Sequence, residues 1–134
     1  MAPYVAATEQ LVAEIVVRDA QRSADFYRRL GFETVRNDGD FVIMAWEGHH
    51  LFLGALAAFH NHEVDHVALP PRPAFPLAYV RVMVSNVDDY WKLANEMGAP
   101  VAVPIGDRYY GLRDFIITDP DGFGVRFASW LKAK

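Results

Sequence analysis

The chain has 134 residues, 52% hydrophobic and 22% charged, enough for one compact domain with a real core and too few for two independent ones. A net charge of −4 without a basic stripe argues against nucleic acid as a partner, and the absence of cysteine removes disulfides, thiolate metal sites and thiol nucleophiles. No apolar run has the length of a membrane span, and the opening stretch MAPYVAATEQ lacks the pattern of a secretory signal, so a cytoplasmic protein is the default expectation.

Leu11 to Arg18 (LVAEIVVR) is rich in branched residues and reads as a strand. Asp19 then suits a helix N-cap, because its carboxylate can accept from the orphan N–H groups of a first turn. Ala20, Ala24, Tyr27 and Leu30 recur at helical spacing, and Gly31 stands where a helix end favours a left-handed residue. Three strands are predicted next, at Phe32–Arg36, Phe41–Trp46 and His50–Leu53, separated by NDGD and EGH turns.

From about Ala55 to Pro76 the prolines 70, 71, 73 and 76 predict an extended connector. It holds His60, His62 and His66, and His49-His50 lies at a turn. The spacing of the three has the look of metal ligands, but no strand or helix fixes their geometry. They read as solvated loop histidines, the alternative being a lid over a binding cleft whose occupancy would depend on pH.

The second half repeats the first at an offset of 67 residues. Leu77–Ser85 is a strand, Asn86 replaces Asp19 as cap, and Val87, Trp91, Ala94 and Met97 form the helix stripe, closed by Gly98. Strands follow at Pro100–Val103, Leu112–Thr118 and Gly124–Ser129, the last two joined by Asp119-Pro120-Asp121-Gly122, a turn in which proline sets φ and glycine allows positive φ. Each half is β-α-β-β-β. The expected organisation is a single domain over 1–134, with module one at about 9–54, the connector at about 55–76 and module two at about 77–131.

Val17-Arg18-Asp19, Ser23, Phe26-Tyr27-Arg28-Arg29-Leu30-Gly31-Phe32, Tyr110-Gly111 and Thr118-Asp119-Pro120-Asp121-Gly122, in this order and spacing, carry a family resemblance. The chain resembles the vicinal oxygen chelate superfamily, of the glyoxalase, bleomycin-resistance protein and extradiol dioxygenase type. That resemblance implies an α+β fold in which two βαβββ modules form a curved, open mixed sheet around a cleft. It also implies four metal-ligand positions on four strands, occupied here by Val12, Phe52, Tyr79 and Arg126. Valine and phenylalanine offer no lone pair, and a guanidinium repels a divalent ion. The expectation is therefore no metal, no cofactor and no catalytic residue.

In that respect the chain is similar to the metal-free bleomycin-resistance proteins, which sequester a small molecule and typically work as homodimers. The function implied is metal-independent binding of an aromatic drug or metabolite. The rivals are a glyoxalase-like lyase, isomerase or dioxygenase using other ligands, and a non-catalytic dimerising domain.

Strand alternation assigns Val12, Glu14 and Val16, with Tyr79, Arg81 and Met83, to the cleft face. A charge there needs a partner, so Glu14 is expected to pair with Arg81, its repeat equivalent, with Arg126, or with both. This is either a structural ion pair or an arrangement that leaves one arginine to bind an anionic ligand group. Phe52, Tyr79, Trp46 and Tyr110 are the aromatic candidates for stacking on a ligand, against the plainer reading of core packing, whereas Trp91 on the helix stripe reads as core.

Overall fold

The computed structural model describes residues 11–62 and 68–132. It divides into two compact units, up to Leu69 and from Pro70, each described here by itself. In the first, β1 (Ala13–Val17) leads into α1 (Ala20–Leu30), then β2 (Glu33–Asn37), β3 (Phe41–Trp46) and β4 (His49–Ala55). The second repeats this with β5 (Tyr79–Met83), α2 (Val87–Glu96), β6 (Val101–Asp107), β7 (Leu112–Thr118) and β8 (Gly124–Trp130). The fold is α+β with open mixed sheets.

The strands form two four-stranded sheets, ordered β1-β4-β3-β2 and β5-β8-β7-β6. In each, the first strand runs parallel to the last and the other pairs are antiparallel. The connector begins differently from the extended reading, with a short 3-10 helix at Leu56–His62. Among the described residues no helix is long and apolar enough to cross a membrane.

Alternation gives each sheet a helix-covered face and an open face. In the first unit, register pairs Leu53 with Ile15 on one side and Val42 on the other, and Met44 with Leu51, so these side chains share a face. They are buried together with Ala24, Tyr27 and Leu30 of the α1 stripe. Tyr27, Phe32 and Trp46 continue this core edge-to-face, with centroids 5.2 and 5.1 Å apart. In the second unit Val125, Phe127, Phe115 and Ile117 are buried in the same way. Tyr90 stacks on Phe127 at 4.7 Å, and Trp91, only partly buried, meets Phe115 at 5.1 Å.

The two helices start differently. Asp19 accepts from the backbone N–H of Gln21 and of Arg22, whereas Asn86 makes no side-chain cap bond. Asp19→Ala should therefore cost about 1 kcal/mol in urea unfolding, and Asn86→Ala only a few tenths, roughly. Equal losses would mean that the Asp19 bonds contribute nothing net. At the far end Gly31 has φ 112°, the left-handed cap its position predicts, and its N–H donates to the Arg28 carbonyl.

Candidate functional site

The open face of the second sheet carries the polar chemistry. On β5 alternation exposes Tyr79, Arg81 and Met83, and the parallel register sets Arg81 directly beside Arg126 of β8. On β7, Ile116 pairs with Arg126 and Asp114 with Ala128, so Asp114 lies diagonally from Arg126, within reach of a guanidinium. The Arg108–Gly111 turn between β6 and β7 supplies two more groups. The Gly111 N–H donates to the Arg108 carbonyl, and Gly111 takes φ 91°, which glycine adopts without strain. The reversal brings Arg108 and Tyr110 over Asp114.

Asp114 is the centre of this cluster, with its side chain only 1% exposed. Its Oδ1 accepts from Arg108 Nε at 2.8 Å. Its Oδ2 accepts from Arg126 Nε at 3.0 Å, from Arg126 Nη2, and from the Tyr110 hydroxyl at 2.8 Å. Burial pushes the Asp114 carboxyl up, but the hydrogen bonds from Arg108, Arg126 and Tyr110 outweigh it and hold the group below the usual carboxylate range. Arg108 is anchored further by donating through Nη2 to the Pro104 carbonyl at 2.6 Å.

Arg126 links the acid to the two tyrosines. Its Nη1 donates to the Tyr79 hydroxyl at 2.8 Å and its Nη2 donates to the Tyr110 hydroxyl. Its guanidinium carbon lies 5.4 Å from the centre of the Tyr79 ring and 5.6 Å from that of Tyr110, so both rings add cation–π contact. The tyrosines are driven apart electrostatically. Arg81 and then Arg126 hold the Tyr79 phenol below the ordinary tyrosine value, whereas burial and the bond to Asp114 raise Tyr110.

The first unit presents a less polar open face. Glu14 is exposed on β1, directly beside Phe52, with its carboxylate over the backbone of Gly54, where the missing side chain leaves room. Phe52 is buried edge-on against Phe41 at 5.3 Å and beside His50. Two expectations are corrected. The acid that balances Arg126 is Asp114, not Glu14. Trp46 is not a residue of the open face but lies on the helix side, packed on Phe32 and Gly31. Of the connector histidines, His66 lies outside the described residues, as do the side chains of His60 and His62.

Asp114 and Arg108 escaped the sequence reading. A usable signal existed for Asp114, a carboxylate inside the apolar strand LRDFIIT, because a charge in such a run demands a buried partner. Arg108 sits in a polar turn and gave none.

The side chains at the four positions that the resemblance gives to metal ligands do not fit a divalent metal. Val12 and Phe52 have no donor atom, and Arg126 is a cation whose guanidinium is committed to Asp114. The Tyr79 oxygen already accepts from that guanidinium. Among the described residues no three His, Cys, Asp or Glu side chains come together as a metal-binding group.

The model of the Glyoxalase/Bleomycin resistance protein/Dioxygenase superfamily matches residues 9–127. Hypothetical protein SA1046 from S. aureus has a similar structure, with a TM-score of 0.73 at 23% identity, over 90% of this chain and 93% of that one. A glyoxalase/bleomycin resistance protein/dioxygenase from Nocardioides gives 0.70 at 21%, over 97% and 89%. The bleomycin resistance determinant encoded on the transposon Tn5 gives 0.63 at 17%, over 90% and 96%. No curated protein matches the sequence.

Proposed function

Because the chain belongs to the Glyoxalase/Bleomycin resistance protein/Dioxygenase superfamily, we propose that it is a metal-independent small-molecule binding protein of the bleomycin-resistance type, one that holds an aromatic drug or metabolite without transforming it. The observation that carries this reading is Arg126. It stands at a ligand-equivalent position and is built into its sheet by Asp114, two tyrosines and a second arginine turned onto the same acid. A cation fixed so firmly is a recognition element and not a vacant ligand site. The half-exposed rings of Tyr79 and Tyr110 flank it and offer surface to a flat ligand. The structural likeness to the Tn5 bleomycin resistance determinant agrees with this reading at the level of fold.

The same reading has the protein act in the cytoplasm as a homodimer. Tyr109, Trp130 and Leu131, exposed at one end of the second sheet, are apolar surface that a second copy would cover.

The test has two parts. Purified protein is dialysed, and its metal content is measured before and after loading with zinc, nickel, iron and manganese. It is then screened by thermal shift against aromatic antibiotics and metabolites. No stoichiometric metal should survive dialysis. A ligand at a hundred times its Kd should add about 2.7 kcal/mol, a rise of roughly 5–10 °C for a domain of this size. Tightly retained metal, or a panel without a single shift, would overturn the proposal.

A further inference from the structure

The charges on the open face of the second sheet do not balance. Arg81, Arg108 and Arg126 bring three guanidiniums, and Asp114 is the acid among them. Both oxygens of that acid are occupied, Oδ1 by Arg108 and Oδ2 by Arg126 and Tyr110. Arg81 is exposed and forms no ion pair with any described residue. Yet it pairs in register with Arg126, on the same face of adjacent strands. Like charges placed directly across from each other destabilise a sheet unless something negative stands between them. In a chain of net charge −4, three arginines with one acid among them form a local excess of positive charge.

The donors left over converge. Of the five N–H groups of Arg126, one goes from Nε to Asp114, two from Nη2 to Asp114 and Tyr110, and one from Nη1 to Tyr79, which leaves one on Nη1. The Tyr79 oxygen accepts from Arg126 and keeps its own proton, for which no described residue is the acceptor. Arg81 lies close enough to the same hydroxyl to favour its ionised form. One N–H, one O–H and a guanidinium that no described acid balances thus meet around Tyr79.

From this convergence we infer that the open face of the second sheet binds the carboxylate of a planar aromatic acid, with Arg81 as the residue that takes the charge, Tyr79 and the remaining Arg126 N–H as supporting donors, and the Tyr79 and Tyr110 rings against the aromatic part. The inference rests on the binding-protein reading above and names its ligand class. Asp114 acts as a positioning residue. By taking two of the five Arg126 donors, it fixes that guanidinium and leaves Arg81 as the cation an anion meets.

The test uses two probes of one shape, 2-naphthoate and the neutral 2-naphthamide, titrated calorimetrically into the whole chain. Naphthoate should bind about tenfold more tightly than the amide, the weight of a charge-assisted hydrogen bond, and its affinity should fall with added salt. Arg81→Gln should weaken naphthoate about tenfold, Arg81→Lys should retain part of the preference, and Tyr79→Phe should weaken naphthoate several-fold. Arg29→Gln, the same change of charge on the exposed side of α1, should leave the preference intact. Equal affinity for both probes, a preference that survives Arg81→Gln, or failure of naphthoate to bind at millimolar concentration would overturn the carboxylate assignment. The thermal-shift panel decides the wider reading separately, since a neutral or cationic compound that stabilises the protein would sustain it while this inference fell.

Discussion

Replacing Asp114 by alanine should cost about 3–5 kcal/mol of folding stability, because it strands partly buried guanidiniums without their acid. The side chain is 1% exposed and accepts from Arg108, Arg126 and Tyr110, while the arginines themselves are 26% and 12% exposed. The more exposed Arg108 can swing toward solvent, which puts the expected loss near the lower end of that range. Urea unfolding at neutral pH reads it directly. A loss under about 1 kcal/mol would mean that both arginines re-solvate freely and that the cluster is no more than a surface network.

The pH dependence provides a second readout. The folded pKa of Asp114 lies below its unfolded value of about 4, so its contribution is fully present above that pH and is lost as pH falls through the lower folded value. Unfolding midpoints of the wild type and of Asp114→Asn should therefore differ most above pH ~4 and converge in stronger acid. A constant gap down to the acid limit would assign the loss to packing instead of charge.

Gly124→Ala should destabilise the protein by about 2–3 kcal/mol, for reasons of space alone. Gly124 lies at the start of β8 beside Tyr79 of β5, and its φ is not in the left-handed region. In an open strand, alanine there would be favourable by roughly 0.5–1 kcal/mol, because glycine loses more backbone entropy on folding. Here a Cβ would stand 2.6 Å from the Tyr79 Cβ and 3.1 Å from Pro76. Neither neighbour can yield without moving backbone, so β5 must shift and carry the Tyr79 hydroxyl away from Arg126. Loss of stability should therefore come with loss of naphthoate binding. Gly39→Ala is the matched comparison. Nothing lies within 4 Å of its added Cβ, but φ is 85°, so only backbone strain of about 1 kcal/mol is expected and binding should be unchanged. A neutral or stabilising Gly124→Ala would show that β5 and β8 tolerate a wider spacing than the contact implies.

Much of this architecture was legible along the chain, since its signals are local. Asp19 and Gly31 bracket α1 because cap and terminator need only their own dihedrals and neighbouring N–H groups. The repeat offset was equally direct, as Ala20 and Val87 begin corresponding helices 67 residues apart. Alternation placed Tyr79, Arg81 and Met83 on one exposed face, because β5 is apolar on its other side.

Where alternation is missing, the sequence is silent about faces. The four middle residues of β3, FVIMAW, are buried whichever way they point, so nothing in the pattern told Trp46 which side to take. Repeat equivalence misled the assignment of charges for a related reason. Glu14 and Arg81 occupy like positions in two modules, but each stands beside its own module's last strand, Glu14 next to Phe52 and Arg81 next to Arg126. Likeness of position does not determine contact.

The sequence by itself determined the order of elements, their caps and turns, and the family, because each follows from single residues or short periods. Only the tertiary structure decided that Arg126 belongs to Asp114 and that Arg81 is left over. That outcome depends on the register of β7 against β8 and on a four-residue turn that folds Arg108 and Tyr110 back over one carboxylate. Charges pair through space at a few ångströms, and one step of register would move every one of them to the other face.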